Sequence, residues 1–324
     1  MKTFTFEDRE IFPPDSGAFF IKGEARPLTG DYHRERVPTF HYNVEQGIYQ
    51  MTIYAYPHTS IKYGNGQLLL KAQPTASTII NHVYVKDSEI ELAWWGGGIK
   101  ELSIQKIALE PKLILIGDST MSEHPPEKFP QYGWGQLLAE QLRSMASFNV
   151  AQSGRSSKSF REEGHFQRAL SHLNKGDWVL IQFGHNDQKE DHRGTTPEQY
   201  KENLRKYIRE IREAEAIPLL LSPVQRRYFS EQGRMLNPHE GYHEMVEEVA
   251  KEESTFFIDL TKLSSDAYVE QGPEASKAWF MWLKQGEEPN YPEGVNDNTH
   301  FSEQGARAIA QIVVNEWKKL LKNQ

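Results

Sequence analysis

The stretch Leu113–Pro126, LILIGDSTMSEHPP, decides how the rest of the chain is read. Four aliphatic residues run unbroken into Gly117-Asp118-Ser119-Thr120, and Pro125 and Pro126 then stop any regular structure. A short apolar run ending in turn residues reads as a strand buried on both faces, as in a parallel sheet. Ser119 would stand just past the carboxyl end of that strand. Gly, Asp and Ser all favour turns, so a lone Gly-Asp-Ser is first of all a turn, and a nucleophile there needs partners elsewhere.

That run, KLILIG (112–117), is the first of a series that continues with FNVAQ (148–152), WVLIQFG (178–184), IPLLLS (217–222) and TFFIDL (255–260). Between them lie the helical patterns WGQLLAEQLRSM, SFREEGHFQRALSHL, PEQYKENLRKYIREIREA and HEMVEEVAKEE, and SEQGARAIAQIVVNEWKKLL closes the chain. Such alternation predicts an α/β domain with a parallel sheet covered by helices on both faces, spanning 111–324. Upstream of Pro111 the pattern differs. GIYQMTIYAY, STIINHVYV, EIELAWW and IKELSIQKIAL read as short strands separated by turn residues, which predicts a small β-sandwich over 1–110.

The 324-residue chain is long enough for two cores, and its 38% hydrophobic and 25% charged residues are ordinary for a globular protein. A formal charge of -8 argues against binding dominated by nucleic-acid phosphates, although a local basic patch remains compatible with it. With no cysteine, thiolate catalysis, disulfides and cysteine-ligated zinc are excluded. No apolar run approaches the roughly 20 residues of a membrane span. MKTFTFEDREIF lacks the apolar stretch of a signal peptide, so the chain as written is expected in the cytoplasm, or outside it if a leader was removed.

In a parallel sheet, ligand sites form beyond the carboxyl ends of the strands. A functional Ser119 therefore predicts reactive residues at other strand ends. After the second apolar run comes SGRSSKSF with Gly154, and after the third FGHNDQ with Asn186. Near the end, NDNTHFSEQGA sets Asp297 and His300 three residues apart, with Ser302 placed to cap the last helix. Together these supply what acyl transfer needs. An imidazole takes the serine proton, a carboxylate orients that imidazole, and preorganised N–H donors receive the oxyanion. The donors would be the backbone N–H groups of Ser119 and Gly154 and the Asn186 amide.

The blocks GDST, the glycine of AQSGRSS, GHND and DNTH make the sequence similar to the SGNH-hydrolase superfamily of GDSL-type esterases, over roughly residues 112 to 321. The resemblance implies a three-layer αβα, flavodoxin-like catalytic domain. It also implies Ser119 as nucleophile, His300 as general base, Asp297 as its partner, Gly154 and Asn186 as oxyanion donors, and no metal or cofactor. NVAQSGRSSKSF and IQFGHNDQ resemble more closely the rhamnogalacturonan acetylesterase branch, which deacetylates the pectin backbone. Bacterial members can carry an N-terminal β-sandwich similar to galactose-binding domains. Thr120 stands where the name motif has leucine.

Basic residues gather after the strands: Arg155, Lys158 and Arg161, then Lys189 and Arg193, then Arg226 and Arg227. Such a lip would suit a galacturonate-bearing saccharide, though loops carry charge in any case; Arg155, Lys158 and Arg226 are the candidates for substrate contact. The segment 264–296 reads as a long loop whose Trp279 and Trp282 either stack on sugar rings or anchor it to the core. HEGYH (239–243) satisfies the H-E-x-x-H zinc pattern, but Pro238 and Gly241 place it at a helix start. An α/β-hydrolase would need a G-x-S-x-G elbow, which Ser119 lacks. The readings carried forward are an acetylesterase acting on an acetylated, pectin-derived oligosaccharide or polysaccharide, a related esterase, lipase, thioesterase or deacetylase acting on another acetylated sugar, and a non-catalytic carbohydrate-binding protein. None involves nucleic acid or membrane.

Overall fold

Among the described residues of the first third of the chain, short strands pair antiparallel, some half-buried and some buried throughout. The computed structural model describes residues 1–6, 18–21, 39–64, 66–108, 111–239 and 241–322. Its first strands are β1 (Lys2–Thr5), β2 (Ala18–Ile21), β3 (Thr39–Asn43), β4 (Gly47–Ala55), β5 (Ser60–Tyr63), β6 (Gln67–Leu70), β7 (Ser77–Val85), β8 (Glu89–Trp95) and β9 (Ile99–Lys106). They form two antiparallel sheets, ordered β1-β9-β4-β7 and β2-β3-β8-β5-β6. Along β4, Met51, Ile53 and Ala55 are buried while Thr52 and Tyr54 are not, the period-two pattern of a half-buried strand. Ile53 and Leu102 from one sheet join Phe40, Ile61 and Leu92 from the other in a single apolar core. Each such side chain contributes roughly 1.5–3 kcal/mol by leaving water.

This unit comprises Met1–Lys112, Pro125–Phe129 and Gln136–Phe148. The boundary expected at Glu110 falls on Leu109 and Glu110, which lie outside the described residues. The segment 136–148, which the strand–helix reading assigns to the second half, clusters with the first instead. It supplies partners for polar groups of the sheets. Asn81 Nδ2 donates to Ala139 O (3.3 Å), the His82 N–H to Arg143 O (2.8 Å) and Gln67 Nε2 to Ser147 O (3.0 Å).

The second unit comprises Leu113–His124, Pro130–Gly135 and Asn149–Gln324. From Leu113 onward the elements are β10 (Leu113–Gly117), β11 (Gln131–Tyr132), α1 (Leu138–Gln141), β12 (Ser147–Asn149), α2 (Ser159–Glu162), α3 (His165–Leu170), β13 (Trp178–Gln182), α4 (Pro197–Glu213), β14 (Ile217–Leu221), α5 (Tyr242–Glu252), β15 (Phe256–Ile258), α6 (Leu260–Gln271), β16 (Phe280–Leu283), β17 (Val295–Ser302) and α7 (Glu303–Lys322). The unbroken apolar strands build a five-stranded sheet ordered β12-β10-β13-β14-β15, with parallel pairing of β10, β13, β14 and β15. Helices flank it, α4 packing on α5 and β14, and α7 on α6 and β15. The strand order reverses direction between β10 and β13, so a crevice opens beyond their carboxyl ends. Among the described residues, no helix is long and apolar enough to cross a membrane.

α4 begins with a reciprocal cap, Thr196 Oγ1 accepting from the Gln199 N–H and Gln199 Oε1 accepting from the Thr196 N–H, with Pro197 at the first helical position. Its buried stripe is Tyr200, Leu204, Tyr207, Ile208 and Ile211. The predicted helix SFREEGHFQRALSHL is broken into α2 and α3 because Gly164 adopts φ 79°. α6, capped by Asp259 accepting from the Lys262 N–H, runs into the segment read as a long loop, which also holds strand β16. β16 joins β11 and β17 in a small antiparallel sheet ordered β11-β17-β16.

Candidate active site

At Gly117, the last residue of β10, a side chain would collide with Gln182 O, 2.7 Å from an ideal Cβ. The chain then turns around Asp118, whose Oδ1 accepts from the Thr120 N–H (2.9 Å) and hydroxyl (2.8 Å). Gln182 Nε2 donates to the same hydroxyl (2.6 Å), and Trp134 Nε1 donates to Gln182 Oε1 (3.0 Å). Asp118 Oδ2 meets His185 Nδ1 at 3.0 Å. Burial acts to raise the Asp118 carboxyl, but the charge and hydrogen bond of His185 and the bonds from Thr120 outweigh it and hold it below its ordinary range. These buried bonds fix the turn that carries Ser119.

His300 and Asp297 come from β17. Residues three apart on a regular strand face opposite sides. Here the register jumps from Phe280↔Phe301 to Met281↔Asp297, so Asn298, Thr299 and His300 bulge out of the ladder. The bulge folds back on Asp297, whose Oδ1 accepts from the Thr299 N–H (2.7 Å) and the His300 N–H (3.1 Å). Asp297 Oδ2 then lies 2.6 Å from His300 Nδ1, and His300 Nε2 lies 2.9 Å from Ser119 Oγ. Burial pushes the Asp297 carboxyl up, but the His300 hydrogen bond and charge, with the two backbone donors, bring it below the usual value. Serine, imidazole and carboxylate thus form one hydrogen-bonded chain. With Nδ1–H donated to Asp297, neutral His300 presents a lone pair to the serine hydroxyl. Ser302 Oγ accepts from the Gly305 N–H (3.3 Å) at the start of α7, the cap its position suggests.

The other strand-end residues follow β12 and β13, the two neighbours of β10 in the sheet. Gly154 turns the backbone at φ 80°, where a side chain would be strained. Asn186 is buried and gives one amide hydrogen to Arg155 O (3.0 Å), which ties the two loops together. Asp187 ties them again, accepting the Ser157 N–H (3.1 Å) and hydroxyl (2.5 Å). Burial pushes the Asp187 carboxyl up to about 7 despite these bonds.

The expected substrate contacts fare unequally. Trp279 is 9% exposed and edge-on to Tyr268, so it is core and offers no face to a sugar. Trp282 is half-buried, its ring met by Arg227 and Lys277 and its N–H donated to Asn298 Oδ1. Arg155 is ion-paired with Glu163 (2.7 Å), and Lys158 Nζ donates to His192 O (3.1 Å). Arg226 is half-buried and donates to Thr299 Oγ1 and to His185 O, each at 3.3 Å.

In HEGYH, Glu240 lies outside the described residues. His239 is buried, its Nε2–H on Val224 O (3.1 Å) and its Nδ1 accepting from Gln188 Nε2 (3.0 Å). Burial first, then the positive field of His185 and Arg226, holds His239 well below the ordinary imidazole value. His243 instead faces Asn237 and Glu244. Among the described residues no three His, Asp or Glu side chains gather as a metal site.

Sequence reasoning did not single out Asp118, His124, His185, Asp187 or Gln182. His124 is buried, donates Nε2–H to Ser119 O (2.8 Å) and lies edge-on to the His300 ring. Asp118, His185 and Asp187 lie inside the blocks GDST and GHND, and Gln182 and His124 lie close to those blocks in sequence.

The model of the GDSL-like Lipase/Acylhydrolase family matches residues 115–308, which contain every one of these groups. The chain belongs to that family. Relatives of this hydrolase include the rhamnogalacturonan acetylesterase RhgT of Bacillus subtilis (strain 168), 41% identical over 211 residues, covering 64% of this chain and 90% of the relative. YesY of the same organism, a probable rhamnogalacturonan acetylesterase, is 37% identical over 212 residues, covering 64% and 93%. The crystal structure of YxiM from Bacillus subtilis shares the fold, with a TM-score of 0.60, 22% identity and 98% of each chain covered. The chain is accordingly a carboxylic ester hydrolase.

Proposed function

We propose that this hydrolase removes acetyl groups from rhamnogalacturonan-derived saccharides, with Ser119 as nucleophile, His300 as general base and Asp297 orienting it. The observation that carries this reading is the unbroken chain Ser119 Oγ–His300 Nε2 (2.9 Å) and His300 Nδ1–Asp297 Oδ2 (2.6 Å) at the carboxyl edge of the sheet. The two relatives whose names state that substrate support the sugar. As Ser119 Oγ attacks the acetyl carbonyl, His300 Nε2 takes the hydroxyl proton. Negative charge on the carbonyl oxygen is received by the Ser119 and Gly154 N–H groups and the second amide hydrogen of Asn186. The C–O bond to the sugar breaks, the sugar oxygen takes the proton from His300, and acetyl-serine remains. Water, deprotonated by His300, then releases acetate and restores the hydroxyl.

The test is acetate release from acetylated rhamnogalacturonan oligosaccharides beside acetylated xylan and p-nitrophenyl acetate. Pectin fragments are expected to give the highest kcat/KM. Ser119→Ala is expected to lower every rate at least about 10⁴-fold, and Asn186→Ala about 10²–10³-fold. A preference for xylan would move the substrate to another acetylated sugar. Full activity in Ser119→Ala would remove the serine mechanism.

A further inference from the structure

The basic lip divides into cations that are paired and cations that are not. Arg155 holds Glu163, Arg161 holds Glu210 and Arg193 holds Asp191. Arg227 is spent on Pro273 O, Asn298 Oδ1 and Ser276 Oγ. Lys158 is held by His192 O and, like it, Arg226 and Lys189 have no carboxylate partner among the described residues.

Arg226 is the unusual one, because a half-buried charge without a counter-ion is costly to fold around. Its five N–H hydrogens are underused. Nη1 and Nη2 each give one to an oxygen 3.3 Å away, and Nε is buried without a partner. The two acceptors are Thr299, next to His300, and His185, next to Asn186. The guanidinium therefore spans the interval between the loop of the base and the loop of the oxyanion donor. The charges of Asp118 and Asp297 reach it, but those carboxylates are committed to His185 and to His300. Lys189 opens the turn after Asn186, its N–H on Asn186 O (3.3 Å), and its side chain is exposed. Its ammonium is lowered first by burial and then by the like charge of Arg193, with Arg226 adding to the shift and Asp191 and Asp118 opposing it.

We infer that Arg226, assisted by Lys189, is a carboxylate subsite that holds a uronic acid residue of the saccharide beside the ester-cleaving centre. This rests on the proposed action on rhamnogalacturonan. A planar guanidinium with spare terminal hydrogens matches a carboxylate, and a fixed, partly desolvated one binds it more strongly than a mobile surface lysine does.

The test uses p-nitrophenyl acetate hydrolysis by the full chain as reporter. Its inhibitors are an unacetylated rhamnogalacturonan tetrasaccharide and the same tetrasaccharide with its carboxylates reduced to alcohols. The charged form is expected to inhibit wild type the more strongly, by about tenfold or more, with the preference shrinking as salt is added. Arg226→Gln is expected to abolish that ratio, Lys189→Gln to reduce it by a smaller factor, and Arg226→Lys to keep part of it. Equal inhibition by both forms in wild type, or an intact ratio in Arg226→Gln, overturns the subsite. Should Arg226→Gln not fold, Lys189→Gln and Arg226→Lys decide through the same ratio. Acetate release from the acetylated oligosaccharide by wild type, measured in parallel, separates a failed subsite from a failed substrate assignment.

Discussion

At the scale of single residues, Thr120 shows how one hydroxyl can serve a neighbour's chemistry. The family's name motif has leucine at this place, and a leucine could take no part in what the threonine does. Thr120 Oγ1 donates to Asp118 Oδ1 and accepts from Gln182 Nε2, all inside the core. Thr120→Val keeps the shape and deletes both bonds, which leaves a buried carboxylate and a buried amide short of partners. The expected cost is about 1–3 kcal/mol of stability, read from urea unfolding. A fall in kcat on p-nitrophenyl acetate with little change in KM is expected as well, since the turn holding Ser119 loosens while the substrate cleft does not. A variant as stable and as fast as wild type would show that the remaining bonds to Asp118 suffice.

At the scale of elements, the loops after β12 and β13 are joined by a carboxylate whose ionisation works against the fold. Asp187 is fully buried and pushed up to about 7, with burial the leading cause. In the unfolded chain an aspartate titrates near 3.9. Between those values the folded state binds the extra proton, so this group's contribution to stability is complete below about pH 4 and is lost as pH rises through about 7. Thermal unfolding of wild type and Asp187→Asn should therefore show a difference that drifts in favour of the variant as pH rises from about 4 to about 7. A constant difference across that window would mean that Asp187 titrates as an ordinary carboxylate. Sequence could place Ser119, Gly154, Asn186, Asp297 and His300, because each sits beside a recognisable strand end or helix start. It could not reveal ties such as Asp187 to Ser157 or Gln182 to Thr120, which join residues 30 and 62 apart in the chain. The bulge that brings Asp297 and His300 to one side was equally hidden. It comes from a register shift against β16, a strand inside a segment that reads as a loop.

At the scale of the whole molecule, the apolar patterns separate a strand-rich first part of the sequence from a strand–helix second part, and the chain's returns to the first unit do not show in them. Partial period-two alternation in GIYQMTIYAY and the turn-bounded stretches after it marked β4, β7, β8 and β9, and unbroken aliphatic runs marked the parallel strands. What those patterns miss is that the chain returns to the first unit for 125–129 and again for 136–148. Ala139 lies in the apolar core with Ile53, Leu92 and Leu102, and backbone oxygens of Ala139, Arg143 and Ser147 satisfy Asn81, His82 and Gln67. A fragment starting at Pro111 would expose that side of 136–148 to water and strip it of its partners. The same segment runs directly from Trp134 and Gly135, and Trp134 is the outer member of the hydrogen-bond chain through Gln182 and Thr120 to Asp118. The fragment 111–324 should therefore be less stable than the full chain. Its activity on p-nitrophenyl acetate should fall by more than its folded fraction, measured by circular dichroism, accounts for. A fragment that keeps full activity and a cooperative unfolding transition would show that 136–148 holds its shape without the rest of the first unit.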